Sequence, residues 1–497
     1  MGVQAGVGGT ISPLRGWQRL LFLLGLGLLW PALVAGDVYG FNDTVSYLRG
    51  ADTVVAKLIG RHDPFFTASA PAECAPSVSG QREGSCAGEE APPPTETMVL
   101  YGRSLYFGLF LYPGLLAGFW LPVAVQALAT GAVIVAAVRH FVDPSRVRAF
   151  LGATLAAFGL AALTPLPFFV CFLMPDLAVG LALLAAALLL GGWRRERWRW
   201  RVGLGLLLAF AALSHSTALA VLALLGLGAL GTALWRRSRT LALAGGVLLG
   251  AALIGVAGDA AFALASRATT GTDPVRPPFL TARLIEDGPG LRFLDEHCAG
   301  ADFVLCRYPL SGHPSAEVFL WEPTRPHGGF KALPVPDAVQ VAHEQTRFAI
   351  AVARAYPRET ATDLVRDFVA LSGNLRLHDF RLEFLASRMR ADRPFQAVPT
   401  ELPLLDRAIS VLTALAIAIA AVALVLLWRR RAPQVRAIVA AAAIAILLND
   451  ALCAWLSGPF ARYNTRAVWA FPLLVLLLAL APSRGQSIRS ATTSRER

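Results

Sequence analysis

Residues 408–428, AISVLTALAIAIAAVALVLLW, form an unbroken apolar run, and Arg429, Arg430 and Arg431 follow it directly. A helix needs about 20 apolar residues to cross the ~30 Å hydrocarbon core of a bilayer. Arginines and lysines concentrate on the cytoplasmic side of such helices. The stretch therefore predicts a transmembrane helix that ends in the cytoplasm.

The composition of the whole chain fits the same class of protein. Of 497 residues, 55% are hydrophobic and 16% are charged, whereas about 25% charged residues are usual in soluble domains. These values exclude a disordered chain and a plain cytosolic enzyme. A formal net charge as high as +12 is also found in nucleic-acid-binding proteins. The positions of the charged residues along the chain therefore have to distinguish a membrane protein from a nucleic-acid-binding one.

Nine further apolar stretches resemble residues 408–428. Together they predict about ten spans, at residues 17–36, 115–138, 150–163, 177–192, 202–213, 217–235, 241–258, 408–428, 437–456 and 468–481. The stretches 150–163 and 202–213 are short, which predicts a re-entrant or broken helix at each of them.

The arginines test this count, because they should occupy alternate gaps between spans. They do so if the N-terminus is cytoplasmic: the basic gaps contain Arg139, Arg146, Arg148, Arg194, Arg195, Arg197, Arg199, Arg236, Arg237, Arg239, Arg429, Arg430 and Arg431. We interpret these patches as orientation signals and predict no nucleic-acid partner. The sequence thus predicts an all-α polytopic membrane protein with both termini in the cytoplasm. Only two lysines among many arginines are typical of a GC-rich bacterial genome, so we expect a bacterial inner membrane.

Two long segments fall on the outer side, residues 37–103 and 259–406. The predicted organisation is an N-terminal membrane module with the first outer loop (1–258), a mainly helical extracytoplasmic domain (259–406), and C-terminal helices with a cytoplasmic tail (407–497). Helical patterns occur at residues 42–60, 289–298, 338–356, 362–373 and 382–390. The first of these is amphipathic and predicts a helix on the outer membrane face.

Four of the six cysteines lie in the outer segments. An oxidising periplasm favours disulfides within each segment, Cys74 with Cys86 and Cys298 with Cys306. No pair has the CxxC spacing that is typical of zinc sites. The sequence therefore predicts two disulfides and no zinc site.

The segment GDVYGFNDTVSYL, residues 36–48, places Asp37 and Asp43 just behind the first span. A carboxylate beside a low-dielectric region can act as a general base. The alternative is that Asn42 or Asp43 caps the amphipathic helix that follows. Both interpretations stay open at this point.

The short outer loop GPFARYNTR, residues 458–466, is the exception to the charge rule, because an outer loop should contain few arginines. Arg462 and Arg466 are four residues apart, which places them on one face of a helix. They could hold a phosphate or pyrophosphate. The alternative is that both side chains only reach towards the membrane interface.

Other polar residues are predicted at the same outer face. They are Arg103 and Tyr106 before the second span, Asp176 after Pro175, His215 in a break between two apolar stretches, and Asn449 with Asp450 inside the ninth span. An ionisable residue within a span marks a functional position by default. The aromatic stretch 104–113 could line a groove that is open to lipid.

This layout resembles the GT-C superfamily of integral-membrane glycosyltransferases. Many members carry an Asp-Glu pair followed three residues later by Tyr in the first outer loop, and Asp43 and Tyr47 keep that spacing here. Thr44 stands in place of the second acid, which argues against a divalent metal at this motif. A divalent metal stays an open alternative. Arg462, Tyr463, Arg466 and Pro472 are similar to the last outer loop of several members. The segments 283–290 and 458–469 also resemble a group of alphaproteobacterial membrane proteins, a similarity that implies no activity.

The resemblance implies a GT-C-like fold and transfer of a sugar from a polyprenyl-phosphate donor to an extracytoplasmic glycan, lipid or protein. Asp43 is then the expected base, and Arg462, Arg466 and Arg103 are expected at the donor phosphate. Further candidates for the substrate site are Asp37, Tyr47, Tyr106, His215 and Tyr463. Two other classes stay open: a secondary transporter, because of the breaks near Pro165 and His215, and a non-enzymatic membrane assembly protein.

Overall fold

The computed structural model describes residues 17–63, 98–377, 383–384 and 403–482. Within these ranges the chain is all-α apart from one two-stranded sheet. Among the described residues, six helices are long and apolar enough to cross a membrane: Trp120–Phe141, Ser216–Arg236, Arg239–Thr270, Leu404–Arg430, Pro433–Leu456 and Ala461–Leu480. Shorter apolar helices accompany them at Leu20–Ala35, Leu105–Ala117, Val147–Ala162 and Asp176–Gly192. These helices indicate a multi-pass membrane protein, while the count of ten spans stays a prediction.

The N-terminal part begins with a 3-10 helix and continues mainly with α-helices. Its elements are the 3-10 helix Trp17–Leu29, α1 (Trp30–Ala35), β1 (Tyr39–Gly40), α2 (Asn42–Ile59), α3 (Leu105–Leu111), α4 (Pro113–Ala117), α5 (Trp120–Phe141), α6 (Val147–Ala162), α7 (Leu166–Val170), α8 (Asp176–Gly192), α9 (Trp198–Ser214), α10 (Ser216–Arg236) and α11 (Arg239–Thr270). The boundary predicted at residue 258 therefore lies inside α11, which continues to Thr270.

The remaining elements form the predicted outer segment and the last apolar helices. They are α12 (Phe279–Asp287), α13 (Pro289–His297), short 3-10 helices at Cys298–Gly300 and Val304–Arg307, α14 (Ala316–Trp321), α15 (Val335–Ala355), α16 (Pro357–Gly373), β2 (Glu383–Phe384), α17 (Pro403–Leu427), a 3-10 turn at Trp428–Arg430, α18 (Pro433–Leu456), α19 (Ala461–Val468) and α20 (Ala470–Leu480).

The first helix lies against α5 at a contact between two glycines. A Cβ atom on Gly25 would stand 2.1 Å from the carbonyl oxygen of Ala127, and one on Gly131 would stand 2.1 Å from that of Phe22. Small residues let helix backbones approach closely in membranes, where dispersion contacts rather than hydrophobic transfer drive packing. Any side chain at either glycine would therefore separate the first helix from α5.

The apolar chain is broken between α6 and α8, where Pro165, Pro167 and Pro175 prevent a continuous helix. Residues 164–176 are all buried. Their backbone is satisfied by neighbours: Tyr39 N donates to the Cys171 carbonyl (3.0 Å), and Gln126 Nε2 donates to the carbonyls of Val170 (2.9 Å) and Phe172 (3.1 Å). Irregular backbone at membrane depth requires such protein partners, and this break agrees with the one expected after residues 150–163. The stretch 202–213 lies within α9, a continuous helix of 17 residues from Trp198 to Ser214, and the chain breaks directly after it, at His215, before α10 begins.

The predicted outer segment packs around its own apolar core, which includes Ile285, Phe319, Phe330 and Phe348. Its helices α13, α15 and α16 fall on the predicted patterns. The helix expected at 382–390 is not found at the two described positions, where Glu383 and Phe384 pair with Gly40 and Tyr39 as antiparallel strands. A strand forms there because the backbone of β1 offers it hydrogen-bond partners.

The structure joins Cys298 to Cys306 by a disulfide, as the sequence analysis expects. This bridge closes the turn between α13 and the 3-10 helix at Val304–Arg307. Cys74 and Cys86 lie outside the described residues. Cys171 and Cys453 are buried free thiols.

Candidate functional site

The start of α2 decides between the two interpretations of Asp43. Phe41, in an extended conformation, is the N-cap residue, so Asn42 and Asp43 lie in the first helical turn. Thr44 Oγ1 accepts a hydrogen bond from Phe41 N (2.9 Å) and donates to the Leu173 carbonyl (3.1 Å). Capping is therefore carried by Thr44, and the Asp43 carboxylate is available for another role.

Asp43 forms an ion pair with Arg103, which lies just before α3. Arg103 Nη2 donates to Asp43 Oδ1 at 2.5 Å, and the side chains are 33% and 18% exposed respectively, so solvent and ligands can reach the pair. Burial alone would lower the pKa of Arg103, but Asp43 and Tyr47 beside it raise the pKa overall. Burial raises the pKa of the Tyr47 hydroxyl, and Arg103 opposes that increase. Tyr47 is therefore a neutral hydroxyl beside the pair.

Arg462 is the uncompensated cation of this region. Its guanidinium lies 4.8 Å from the ring of Phe41 and 5.0 Å from that of Tyr463, and Nη2 donates to the Tyr463 hydroxyl (3.2 Å). Among the described residues, no carboxylate oxygen lies within 4.0 Å of it, and its buried Nε has no hydrogen-bond partner. Asp43 and Asp176 are near enough to act on its charge electrostatically. A guanidinium in this state favours an anionic ligand.

Arg466, one turn further along α19, has a different environment. It is fully buried, and it donates to Asp176 Oδ1 (2.9 Å) from α8 and to Asn449 Oδ1 (2.7 Å) from α18. His215 Nε2 lies 3.3 Å from Nη1. Arg466 therefore holds three apolar helices together and does not face a ligand in this conformation, because its charge is already balanced by Asp176.

The close packing around Arg466 depends on a glycine of α8. A Cβ atom on Gly180 would stand 2.0 Å from the carbonyl oxygen of Arg466. The same carbonyl accepts a hydrogen bond from Trp469 Nε1 (2.7 Å). The short helix α19 is thus fixed against α8 at the level of Arg466, and this fixes Arg462 one turn earlier.

The other predicted site residues divide into two groups. Tyr463 lies in the cluster, where its hydroxyl is 2.9 Å from Ser457 Oγ, and His215 is the N-cap of α10, accepting from Thr217 N (3.2 Å). Tyr106 instead donates to the Gly258 carbonyl (2.9 Å) and connects α3 to α11. Asp37 accepts from the adjacent Val38 N (2.7 Å). Tyr106 and Asp37 therefore make local structural contacts. The other predicted site residues lie together in one cluster, which contains Asp43, Tyr47, Arg103, Arg462 and Tyr463 and continues to the contact between Arg466 and His215.

A buried polar chain next to Arg466 extends towards the predicted outer segment. Asn449 Nδ2 donates to Asp450 Oδ1 (3.0 Å), and Ser372 of α16 donates to Asp450 Oδ2 (3.3 Å). Asp176, Asn449 and Asp450 are predicted at the outer face but are not among the predicted site residues. Their signal was present in the sequence, because each is a polar residue within or at the start of a long apolar stretch.

An apolar cavity of about 280 Å³ adjoins this cluster. Its lining comes from α3, α5, α8 and α9: Phe107, Phe110, Val125, Gln126, Ala129, Leu177, Ala178, Leu181, Leu206, Leu207 and Phe210. Phe107 also contacts the ring of Tyr47, with ring centroids 5.3 Å apart, and Leu177 follows Asp176 directly. Charged groups and a cavity for an apolar chain therefore lie side by side.

No group of three His, Cys, Asp or Glu side chains suited to a metal ion occurs in the part of the chain that the structure describes. Comparison of the sequence and the structure with protein-family models, curated proteins and solved structures finds no match. The chemistry of the cluster is therefore inferred from its own residues.

Proposed function

We propose that this chain is a GT-C-like integral-membrane glycosyltransferase that moves a sugar from a polyprenyl-phosphate donor to an extracytoplasmic glycan, lipid or protein. The observation that carries the proposal is the position of Arg462. Among the described residues this guanidinium forms no ion pair, the charge of Asp43 acts on it, and the cluster to which it belongs adjoins an apolar cavity of about 280 Å³. A lipid phosphate has the matching chemistry, because it joins one anionic group to a long apolar chain.

In this proposal the donor phosphate binds Arg462 and also pairs with Arg103, which then leaves its ion pair with Asp43. Loss of its partner leaves Asp43 free to accept the proton of an acceptor hydroxyl. The acceptor oxygen attacks the anomeric carbon, the bond from that carbon to the phosphate oxygen breaks, and polyprenyl phosphate leaves with its charge on the arginines. Arg466, paired with Asp176, is a positioning residue that holds α19.

The proposal includes a membrane arrangement. About ten spans place both termini in the cytoplasm of a bacterial inner membrane, with residues 259–406 as an extracytoplasmic domain. Three of the shorter apolar helices, Leu20–Ala35, Val147–Ala162 and Asp176–Gly192, together with α9 supply the four spans beyond the six long ones. This arrangement puts Asp43, Arg103 and Arg462 at the outer ends of their helices, where a lipid-linked sugar and an extracytoplasmic acceptor can meet.

A binding experiment tests the donor site. Arg462→Gln should weaken binding of a short-chain polyprenyl phosphate to the purified protein by about 10- to 100-fold. This is the loss expected when a charge-assisted hydrogen bond, which contributes about 1.5–3 kcal/mol, is removed. The matched control is Arg61→Gln, which removes an exposed arginine that follows α2 and should leave binding unchanged. Equal binding by wild type and Arg462→Gln would contradict the donor site.

A secondary transporter is the second candidate, favoured by the buried irregular segment between α6 and α8. Transporters bind substrates at discontinuous helices near the bilayer midplane. Proteoliposomes separate the two functions. A glycosyltransferase forms a new glycosidic bond with no solute gradient, whereas a transporter moves solute and leaves the polyprenyl-phosphate sugar intact.

A further inference from the structure

One end of the helix bundle carries a large excess of positive charge. The chain turns there between α5 and α6, α8 and α9, α10 and α11, and α17 and α18. Close contacts of Gly191 with Ile438 and of Gly192 with His140 join three of these turns, and Gly205 near the start of α9 faces Val247 near the start of α11. Fifteen arginines belong to them, against only Asp143 and Glu196: Arg139, Arg146, Arg148, Arg194, Arg195, Arg197, Arg199, Arg201, Arg236, Arg237, Arg239, Arg429, Arg430, Arg431 and Arg436.

These arginines form no ion pairs with the part of the chain that the structure describes. Among the described residues, no carboxylate oxygen lies within 4.0 Å of any of the fifteen. Glu196 is 4% exposed and is paired with the buried His140 at 2.7 Å. Arginines of the predicted outer segment differ, since Arg283 and Arg366 each contact more than one carboxylate. The described part of the chain therefore leaves most of the positive charge at this end without a counter-charge.

Tryptophan rings lie between the arginines. Five guanidinium–indole contacts occur at this end: Arg139 with Trp200 (4.9 Å), Arg201 with Trp193 (4.6 Å), Arg199 with Trp198 (5.7 Å), Arg236 with Trp235 (5.6 Å) and Arg436 with Trp428 (5.6 Å). Tryptophan prefers the headgroup region of a bilayer because its ring is apolar and its N–H is polar. The arrangement places cations beside rings at the depth of lipid phosphates.

We infer that this end of the bundle binds the phosphate groups of anionic phospholipids. The apolar flank of α10 distinguishes lipid from other polyanions. Trp235 is 82% exposed, Leu234 beside it is 81% exposed, and Leu227 is 59% exposed. Because α10 is a candidate membrane span, this flank lies among lipid chains and the arginines that follow it lie at the depth of the lipid phosphates, so one phospholipid can contact both.

Native mass spectrometry of the full chain in detergent tests the inference through titration with phosphatidylglycerol and phosphatidylcholine. The triple variant Arg194→Gln, Arg197→Gln, Arg199→Gln removes exposed arginines that donate no hydrogen bond to the described residues. Its affinity for phosphatidylglycerol should fall by about fivefold per arginine, while its affinity for phosphatidylcholine should not change. The matched control removes the exposed arginines Arg61, Arg354 and Arg358 of the predicted outer segments and should behave as wild type.

Several outcomes would overturn the inference. Equal wild-type affinity for the two lipids would show that charge is not recognised, and an equal loss in the control variant would show that the site is not at this end. Displacement of phosphatidylglycerol by an equal concentration of inorganic phosphate, or by an oligonucleotide, would assign the surface to a soluble anion. Failure of the glycosyl-transfer proposal would leave the lipid measurement unaffected, because the two sites share no residue.

Discussion

Ionisation of Asp287, in the predicted outer segment, opposes folding. Burial raises its pKa to about 7, although Arg283, 2.6 Å away, acts in the opposite direction. The usual pKa of Asp in an unfolded chain is about 3.9. Between these values the folded chain holds a proton that the unfolded chain has lost, so the free energy of unfolding falls as pH rises from about 4 to 7.

Asp287→Asn should therefore reduce the pH dependence of stability. In thermal unfolding of the purified protein, the wild-type midpoint should be higher at pH 5 than at pH 8, and the variant should show a smaller difference. The exposed Asp295 provides the control, and Asp295→Asn should keep the wild-type difference. An unchanged difference in Asp287→Asn would show that another group causes it.

Part of the candidate site could be predicted from the sequence, and part of it could not. The Asp43–Tyr47 spacing and the two arginines of the last outer loop were visible in the sequence, and the structure brings Asp43, Tyr47 and Arg462 together. The burial of Arg466 was not visible, because it depends on Asp176, which is 290 positions away along the chain. No local pattern shows that a distant carboxylate neutralises one arginine of a pair and leaves the other free.

At the scale of elements, the contact between α8, α18 and α19 determines the geometry of the candidate site. Arg466 joins all three through Asp176 and Asn449. Prolines at 165, 167 and 175 predicted the break that precedes α8, since proline lacks the N–H that a helix requires. The contacts that satisfy the broken segment could not be predicted, because Gln126 and Tyr39 come from separate elements.

Asp176→Asn should destabilise the bundle, because it leaves a buried arginine without its charge partner. Breaking a buried ion pair in this way costs about 3–5 kcal/mol. The expected result is a lower midpoint of thermal unfolding, with partial recovery in the double variant Asp176→Asn, Arg466→Gln. If Arg466→Gln instead lowers the stability of Asp176→Asn as much as it lowers that of the wild type, the two residues are not coupled. The ion pair would then not account for the stability.

At the scale of the whole molecule, charge is distributed unevenly between the two ends of the bundle. The arginine-rich turns lie at one end, and Asp43, Asp176, His215 and Asp450 belong to the other end. Apolar stretches and alternating arginines were enough to predict an all-α, multi-pass membrane protein. They could not define the number of spans, because α6, α8 and α9 have only 16 or 17 residues each, slightly fewer than a helix needs to cross the hydrocarbon core.

Labelling of single cysteines tests the predicted orientation. In a background with Cys74 and Cys86 replaced by serine, a membrane-impermeant thiol reagent added to intact cells should modify Arg354→Cys and should not modify Arg195→Cys. Permeabilisation should expose both positions, since both residues are on the surface. Modification of Arg195→Cys in intact cells would reverse the orientation and place the candidate site in the cytoplasm.

The most direct test of the proposed function is a sugar-transfer assay that compares Asp43→Asn with Asp37→Asn in proteoliposomes supplied with polyprenyl-phosphate sugar and acceptor. Asn keeps the size of Asp and cannot accept the proton, so transfer by Asp43→Asn should fall by about 10²–10⁴-fold. Asp37→Asn should retain transfer within severalfold, because among the described residues its carboxylate accepts from the adjacent Val38 N–H alone, and an amide oxygen can accept the same hydrogen bond. The wild-type protein should therefore transfer the sugar, and this transfer should depend on Asp43. Transfer that survives in Asp43→Asn at the wild-type rate, with both variants folded, would contradict it.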